Sequence, residues 1–345
     1  MKRVSLSGVP QKKVAIVGAT GIVGQTVLRL LHGRSEFDVC ELAASDRCAG
    51  RFFGDVCAWH DPDHKAFNEK ALVKMIGVSD ISAPYVISCV PAHVGQVIEP
   101  ELAKKGLYVF SNASCFRMDS AVPLIVPEIN ARHIDLCDQQ KWLGSLIKNP
   151  NCSVAGIALA LAPLLDMQNS MQHISIVTLQ AVSGAGYPGL SAMDMLGNSL
   201  PDIPGEWQKI APELQKILSS NGHTFTVPIT THVHRVPVVS GHVATLHIAF
   251  QKNVNLQIVQ ACYHKWNQKY SDLFVMHHHP DRPQVRRDLL PHDMRVHIGQ
   301  IRHGGHQCML GMTILSHNLI RGAAGSIIAN MDLFMQRENE REKAL

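Results

Sequence analysis

The sequence predicts a chain of α/β type in two parts, an N-terminal parallel sheet wound with helices and an α+β half after it. Three observations carry this. Residues 12–31, KKVAIVGATGIVGQTVLRLL, pass from a β-rich apolar stretch through three glycines into apolar residues at helical spacing. Strand-like and helix-like stretches then alternate through the first half, the pattern of a parallel sheet with crossover helices. In the second half, QHISIVTLQAV (172–182) and VATLHIAF (243–250) show strand patterning and flank the glycine-rich loop 183–189 and the helix-like stretch 204–218.

At 345 residues the chain can support two hydrophobic cores. Its 46% hydrophobic and 17% charged residues and mean hydropathy of +0.03 are those of an ordinary globular protein. No apolar run is expected to reach the roughly 18–20 residues of a membrane span. The N-terminus, MKRVSLSGVPQKK, is basic but lacks the apolar core of a signal peptide, so a cytoplasmic protein without membrane partners is expected. Nine cysteines, an odd number without any C-x-x-C pair, argue for reduced thiols and against a disulfide framework or a zinc-thiolate centre. A net charge of +4 without a dense Lys/Arg run fits small anionic ligands better than nucleic acid. The consecutive His277, His278 and His279 cannot all converge on one ion from a regular element, and no metal site is expected there.

In chain order, Gly18, Gly21 and Gly24, with Thr20 between them, make the strand-turn-helix in which backbone N–H groups approach a pyrophosphate. A second strand over 37–44 ends at SDRCAGRFF. Ser45 and Arg47 there suit the 2′-phosphate of NADP, while Asp46 leaves NAD open. Strands follow at 85–90 and 108–110, with a helix between them that ends near Gly106. Asn149, Pro150 and Asn151 form a turn, after which Cys152 meets small and apolar residues that read as a helix start. Unpaired N–H groups and the macrodipole favour a thiolate there, which makes Cys152 the candidate nucleophile. The expected division is a dinucleotide-binding domain at 1–151, completed by a C-terminal helix at 317–345, and a catalytic domain at 152–316. NLIRGAAGSIIANMDLF reads as one long helix.

Together GATGIVG, SDRCAG, SNASCFRMDSAVPLIVPEIN, NPNCS, LQAVSGAGYPG, GEWQK, HRVPVVSGH, DRPQVRRD and SHNLIRGAAG resemble, in order and over nearly the whole chain, aspartate-β-semialdehyde dehydrogenases of the archaeal and fungal branch. The resemblance implies a Rossmann-like domain plus an α+β catalytic and dimerisation domain, the two-domain architecture shared with glyceraldehyde-3-phosphate dehydrogenase. It implies NADPH-dependent reduction of L-aspartyl-4-phosphate to L-aspartate-4-semialdehyde in lysine/diaminopimelate, threonine and methionine biosynthesis. It also implies a homodimer or homotetramer.

Carried over position by position, Cys152 is the nucleophile that forms a thioacyl enzyme, His242 the general acid/base and Gln180 the amide beside the thiol. Arg235 would pair bidentately with the α-carboxylate, Glu206 would take the α-ammonium, and Lys209 with Arg117 would take the phosphate. The cofactor would meet Gly18, Thr20, Gly21, Ile22, Val23, Ser45, Arg47, Ser183, Gly184 and Asn318. Val154, Trp207, Cys48 and Arg51 depart from the family pattern, and the change at Cys48 removes a hydroxyl from the 2′-phosphate region. A malonyl-CoA reductase would use the same thiol chemistry, but its substrate offers Glu206 no ammonium group. A non-catalytic dinucleotide sensor would have no need of Cys152, Gln180, Arg235 and His242 together.

Overall fold

The computed structural model describes residues 11–60, 69–219 and 224–344. The basic N-terminal segment at 1–10 lies outside them. The chain forms two compact units, one of Met1–Pro123, Asp135–Asn149 and Asn330–Leu345, the other of Leu124–Ile134 and Pro150–Ala329.

The first unit is built on five parallel strands, β1 (Lys12–Val17), β2 (Phe37–Ala43), β3 (Tyr85–Ser88), β4 (Tyr108–Ser111) and β5 (Ser145–Lys148), in the order β2-β1-β3-β4-β5. Val14, Ala15, Ile16 and Val17 are buried in succession, because crossover helices cover both faces of such a sheet. Helices α1 (Ile22–Leu31) and α2 (Ala92–Lys104) follow β1 and β3. The strand order reverses between β1 and β3, and the glycine turn lies at the carboxyl end of β1, where open α/β sheets bind ligands. At the same ends of β3, β4 and β5, a fully buried Lys148–Glu99 ion pair is held by the Ser88 and Ser111 hydroxyls. Burial lowers the Lys148 pKa, and the Glu99 carboxylate opposes that shift.

The second unit carries a six-stranded mixed sheet of β6 (Met171–Gln180), β7 (Ile229–Arg235), β8 (His242–Phe250), β9 (Phe274–Met276), β10 (Val296–His303) and β11 (Met309–Ser316). Its order is β7-β6-β8-β11-β10-β9, with the outermost pair at each edge parallel and the inner pairs antiparallel. Ile174, Ile176, Leu246, Ile248 and Ile314 join a core shared with helices α3 (Cys152–Leu161), α4 (Trp207–Leu218) and α5 (Leu256–Tyr270).

Three expectations need adjustment. The units do not divide at 151 alone, because Leu124, Val126 and Ile129 sit in the second unit's core and carry 124–134 with them. The C-terminal helix does not belong wholly to the first unit either. It opens as a π-helical turn at Ile320–Ala324, continues as α6 (Gly325–Ala344), and joins the first unit only from Asn330. Within the first unit, Phe334 of α6 packs on Tyr108 and Phe110. The third concerns membrane-length runs. Cys152–Ser170, 19 residues of mean hydropathy 1.2, is long and apolar enough to cross a bilayer by composition. It is apolar all round because Ser153–Leu161 are all buried in a protein core.

Candidate active site

Cys152 is the first residue of α3. Asn151 caps the helix, its side-chain oxygen accepting from the Ser153 N–H at 2.9 Å. The thiol therefore stands at the positive, N–H-presenting start of a helix. The π-turn passes so close that a Cβ at Gly322 would lie 2.6 to 2.9 Å from Cys152 backbone and side-chain atoms. Only glycine fits this approach, and π-turns of this kind recur at functional sites.

Strand register brings the other groups together. Leu179 pairs with Val243 and Gln180 with Arg235, so the end of β6 faces the start of β8 on one side and the end of β7 on the other. His242, the first residue of β8, places Nε2 3.1 Å from Cys152 Sγ, and its Nδ1 accepts from the Ala181 N–H at 3.1 Å. With Nδ1 accepting, the neutral ring carries its proton on Nε2, facing the sulfur. Burial, then the Arg235 guanidinium, pushes the imidazole down to about 3, against the pull of the Gly241 carbonyl.

Arg235 is buried, and its Nη1 donates to the Ala181 carbonyl at 2.7 Å. Burial lowers its pKa, while Cys152 and Glu206 act to raise it. A Cβ at Gly184 would come within 2.8 Å of Arg235 Nη1 and 3.5 Å of the His242 ring. Gln180, also buried, donates to Thr178 Oγ1 at 3.3 Å. Asn318 braces the loops, with Nδ2 donating to Ser183 Oγ and Oδ1 accepting from the Gly241 N–H, each at 2.8 Å. The sequence assigns Ser183 and Asn318 to the cofactor, and these bonds add a structural duty at the residue preceding His242.

Glu206 and Lys209 form the expected i, i+3 pair at 3.3 Å, but Glu206 is no ordinary surface carboxylate. It is 8% exposed and accepts from Asn151 Nδ2 at 2.7 Å. Glu213, two turns further along α4, accepts from the Asn151 backbone N–H at 2.7 Å. Sequence reasoning missed Asn151 as the cap, Ala181, Glu213 and Gly322. The N-cap signature of Asn151 was available locally, whereas the other three depend on contacts between distant segments.

The first unit holds the rest of the expected residues. Gly18 has φ +78°, and a Cβ there would lie 2.6 Å from the Cys89 carbonyl. A Cβ at Gly24 would meet the Gly18 carbonyl at 2.3 Å, and Gly21 is the N-cap of α1, so the turn through Thr20 to Ile22 and Val23 is shaped for close backbone approach. The Gly18 and Ala19 N–H groups donate to Ala43 O, which sets the exposed Ser45 and Arg47 beside this turn. Arg117, 6% exposed, donates from Nη2 to Asn112 O at 2.7 Å. Among the described residues no group of three or more His, Cys, Asp or Glu side chains could hold a metal ion. His277 instead pairs with His297, which bonds to Asp293.

Residues 13–137 match the family described as semialdehyde dehydrogenase, NAD binding domain, and 161–321 match semialdehyde dehydrogenase, dimerisation domain. The aspartate-semialdehyde dehydrogenase of Archaeoglobus fulgidus is 33% identical, over 94% of this chain and 98% of its own. The chain belongs to the aspartate-semialdehyde dehydrogenase family. The Candida albicans enzyme is likewise 33% identical, over 91% of this chain and 95% of its own. A crystal structure of aspartate-semialdehyde dehydrogenase with NADP from that organism superposes with a TM-score of 0.82 at 30% identity, covering 95% of this chain and 99% of the other. The Vibrio cholerae aspartate-semialdehyde dehydrogenase II structure gives 0.77 at 25%, covering 95% and 99%. The chain is thus an oxidoreductase of amino-acid biosynthesis with an NAD-binding and a dimerisation domain.

Proposed function

We propose that the chain reduces L-aspartyl-4-phosphate to L-aspartate-4-semialdehyde with NADPH through a thioacyl enzyme on Cys152. The single observation that carries this reading is the Cys152–His242 pair at a helix start, with Arg235 and Glu206 in the same unit. The Cys152 thiolate attacks the acyl carbon and phosphate leaves, taking a proton from solvent to become hydrogen phosphate. The nicotinamide, when bound, supplies the hydride that reduces the thioester. The resulting tetrahedral alkoxide collapses to the aldehyde and returns the thiolate. His242, expected as the general acid/base, serves in this reading as a hydrogen-bond donor instead, because Nδ1 is engaged by the Ala181 N–H and burial holds its pKa at about 3. It donates Nε2–H to the sulfur and to the developing oxyanion, joined by the Cys152 backbone N–H. Arg235 receives the α-carboxylate, Glu206 the α-ammonium, and Lys209 with Arg117 the phosphate. Gln180 orients the substrate without adding charge.

The glycine cradle fits a dinucleotide, since Cβ atoms at Gly18 or Gly24 would strike the Cys89 carbonyl or the Gly18–Ala19 backbone, and only glycines let strand, turn and helix start close into the tight turn on which a pyrophosphate can rest. Gly18, Thr20, Gly21, Ile22 and Val23 would hold it, with Ser45 and Arg47 at the 2′-phosphate and Ser183, Gly184 and Asn318 at the nicotinamide end. NADP is favoured by Arg47 and by the NADP bound in the Candida relative. A homodimer would form on the face of the second sheet that carries Val177, Leu179, Val243 and Thr245, opposite the core face, with a tetramer as a dimer of such dimers.

The test is the reverse reaction, with aspartate semialdehyde, phosphate and NADP supplied and reduced nicotinamide followed by its absorbance. Phosphate-dependent turnover is expected. Folded protein that is silent there but active on malonyl-CoA would overturn the substrate assignment.

A further inference from the structure

Two carboxylates, Glu206 at the N-cap of α4 and Glu213 within it, converge on the residue that precedes the nucleophile. Glu206 and Glu213 are seven residues apart, two helical turns, and so share a face. Glu213 Oε2 accepts the Asn151 backbone N–H and Glu206 Oε1 accepts Asn151 Nδ2, both at 2.7 Å, while Asn151 Oδ1 caps the nucleophile's helix through the Ser153 N–H. All three residues are at most 8% exposed. Through its main-chain N–H, its amide nitrogen and its amide oxygen, Asn151 thus joins three points.

We propose that Glu213 is a positioning residue, which through Asn151 sets the nucleophile's helix cap and the α-ammonium carboxylate Glu206 as one rigid constellation. The inference rests on the aspartyl-phosphate reading and deepens it. Glu213 touches no reacting atom in this scheme. Its bond holds Asn151, and Asn151 holds both the N–H array around Cys152 and one oxygen of Glu206. The other Glu206 oxygen pairs with Lys209 at 3.3 Å, so the phosphate and ammonium subsites hang on the same support. Its negative charge works against this role, since a carboxylate near Cys152 disfavours the thiolate. Position and charge therefore predict opposite outcomes when the side chain is removed.

Three variants separate them: Glu213→Gln, which keeps an acceptor oxygen without charge, Glu213→Ala, and Asn151→Ser, which keeps a cap but loses the arm to Glu206. Two readouts are followed, the rate of Cys152 alkylation by iodoacetamide, which needs no substrate, and KM for aspartate semialdehyde in the reverse assay. Wild-type turnover in that assay checks the parent reading separately. Glu213→Ala is expected to slow alkylation and raise KM, each by about tenfold, the equivalent of one lost charge-assisted hydrogen bond. Glu213→Gln should stay within about twofold of wild type in both, and Asn151→Ser should raise KM with alkylation unchanged. The proposal is overturned if Glu213→Ala moves neither readout or speeds alkylation, which would make the charge the dominant effect. It is also overturned if Asn151→Ser leaves KM unchanged, a result that decides the matter even if Glu213→Ala does not fold.

Discussion

The glycine turn of the first unit and the thiol site of the second are built by opposite means. The turn uses almost no side chains: its function lies in what Gly18 and Gly24 lack, within a dozen consecutive residues. The thiol site draws Cys152, the end of β6 and the loop after it to Gly184, the start of α4, Arg235, His242 and the π-turn at Ile320–Ala324 from distant parts of the second unit, joined by strand register and hydrogen bonds. A backbone cradle can be reused for one ligand shape in many proteins. A constellation of side chains decides which acyl group is processed, and it fails when any of its distant supports moves.

The largest way to break this comparison is Cys152→Ser. Turnover should fall by on the order of a thousandfold or more while NADP affinity, measured by fluorescence quenching, stays at the wild-type value. Loss of cofactor affinity would show that the two regions are not separable. Next is Arg235→Lys, expected to lower kcat/KM by about a hundredfold, since an ammonium cannot make the bidentate pair with the α-carboxylate. Unchanged kinetics would remove Arg235 from the substrate site. Gly322→Ala should cost roughly 1–3 kcal/mol in urea unfolding, because its Cβ would overlap Cys152 atoms. A wild-type midpoint would show that the π-turn yields freely.

Much of this was legible in the sequence, and the boundary is physical. Gly18, Gly21 and Gly24 announce their turn because strand, glycines and helix are contiguous. Cys152 could be read as a helix-start thiol for the same reason, and Arg235 and His242 stand out through the motif they share. Gly322 looked like one of several small residues on a helix, since nothing near it in sequence reveals Cys152 against its α-carbon. Glu213 looked like an ordinary polar helix residue, its partner being 62 positions away. The Lys148–Glu99 pair was hidden likewise, as two charges 49 residues apart that only the parallel sheet brings together. Helix α5 offered little periodic signal, because only Val259 and Tyr263 along its length are buried.

The smallest expected effect is a flat line. With its pKa near 3, His242 of the free enzyme stays neutral from pH 5 to 8, so the kcat/KM profile should show no acid limb from this ring across that range. A limb near pH 6.5 that disappears in His242→Asn would contradict the neutral, buried ring. The sign for stability is the reverse of the usual histidine case. Between about 6.5 and 3 the unfolded chain binds a proton at His242 that the folded chain does not, so stability falls as the pH falls through that window.

The most direct test mixes the enzyme with L-aspartyl-4-phosphate in the absence of any nicotinamide, quenches in acid and maps the adduct by peptide mass spectrometry. One aspartyl group per chain on the peptide containing Cys152, with a matching burst of phosphate, is the predicted result. Full turnover in the complete assay with no such adduct, or with the aspartyl group on Cys89 or Cys115 instead, would contradict the thioacyl account.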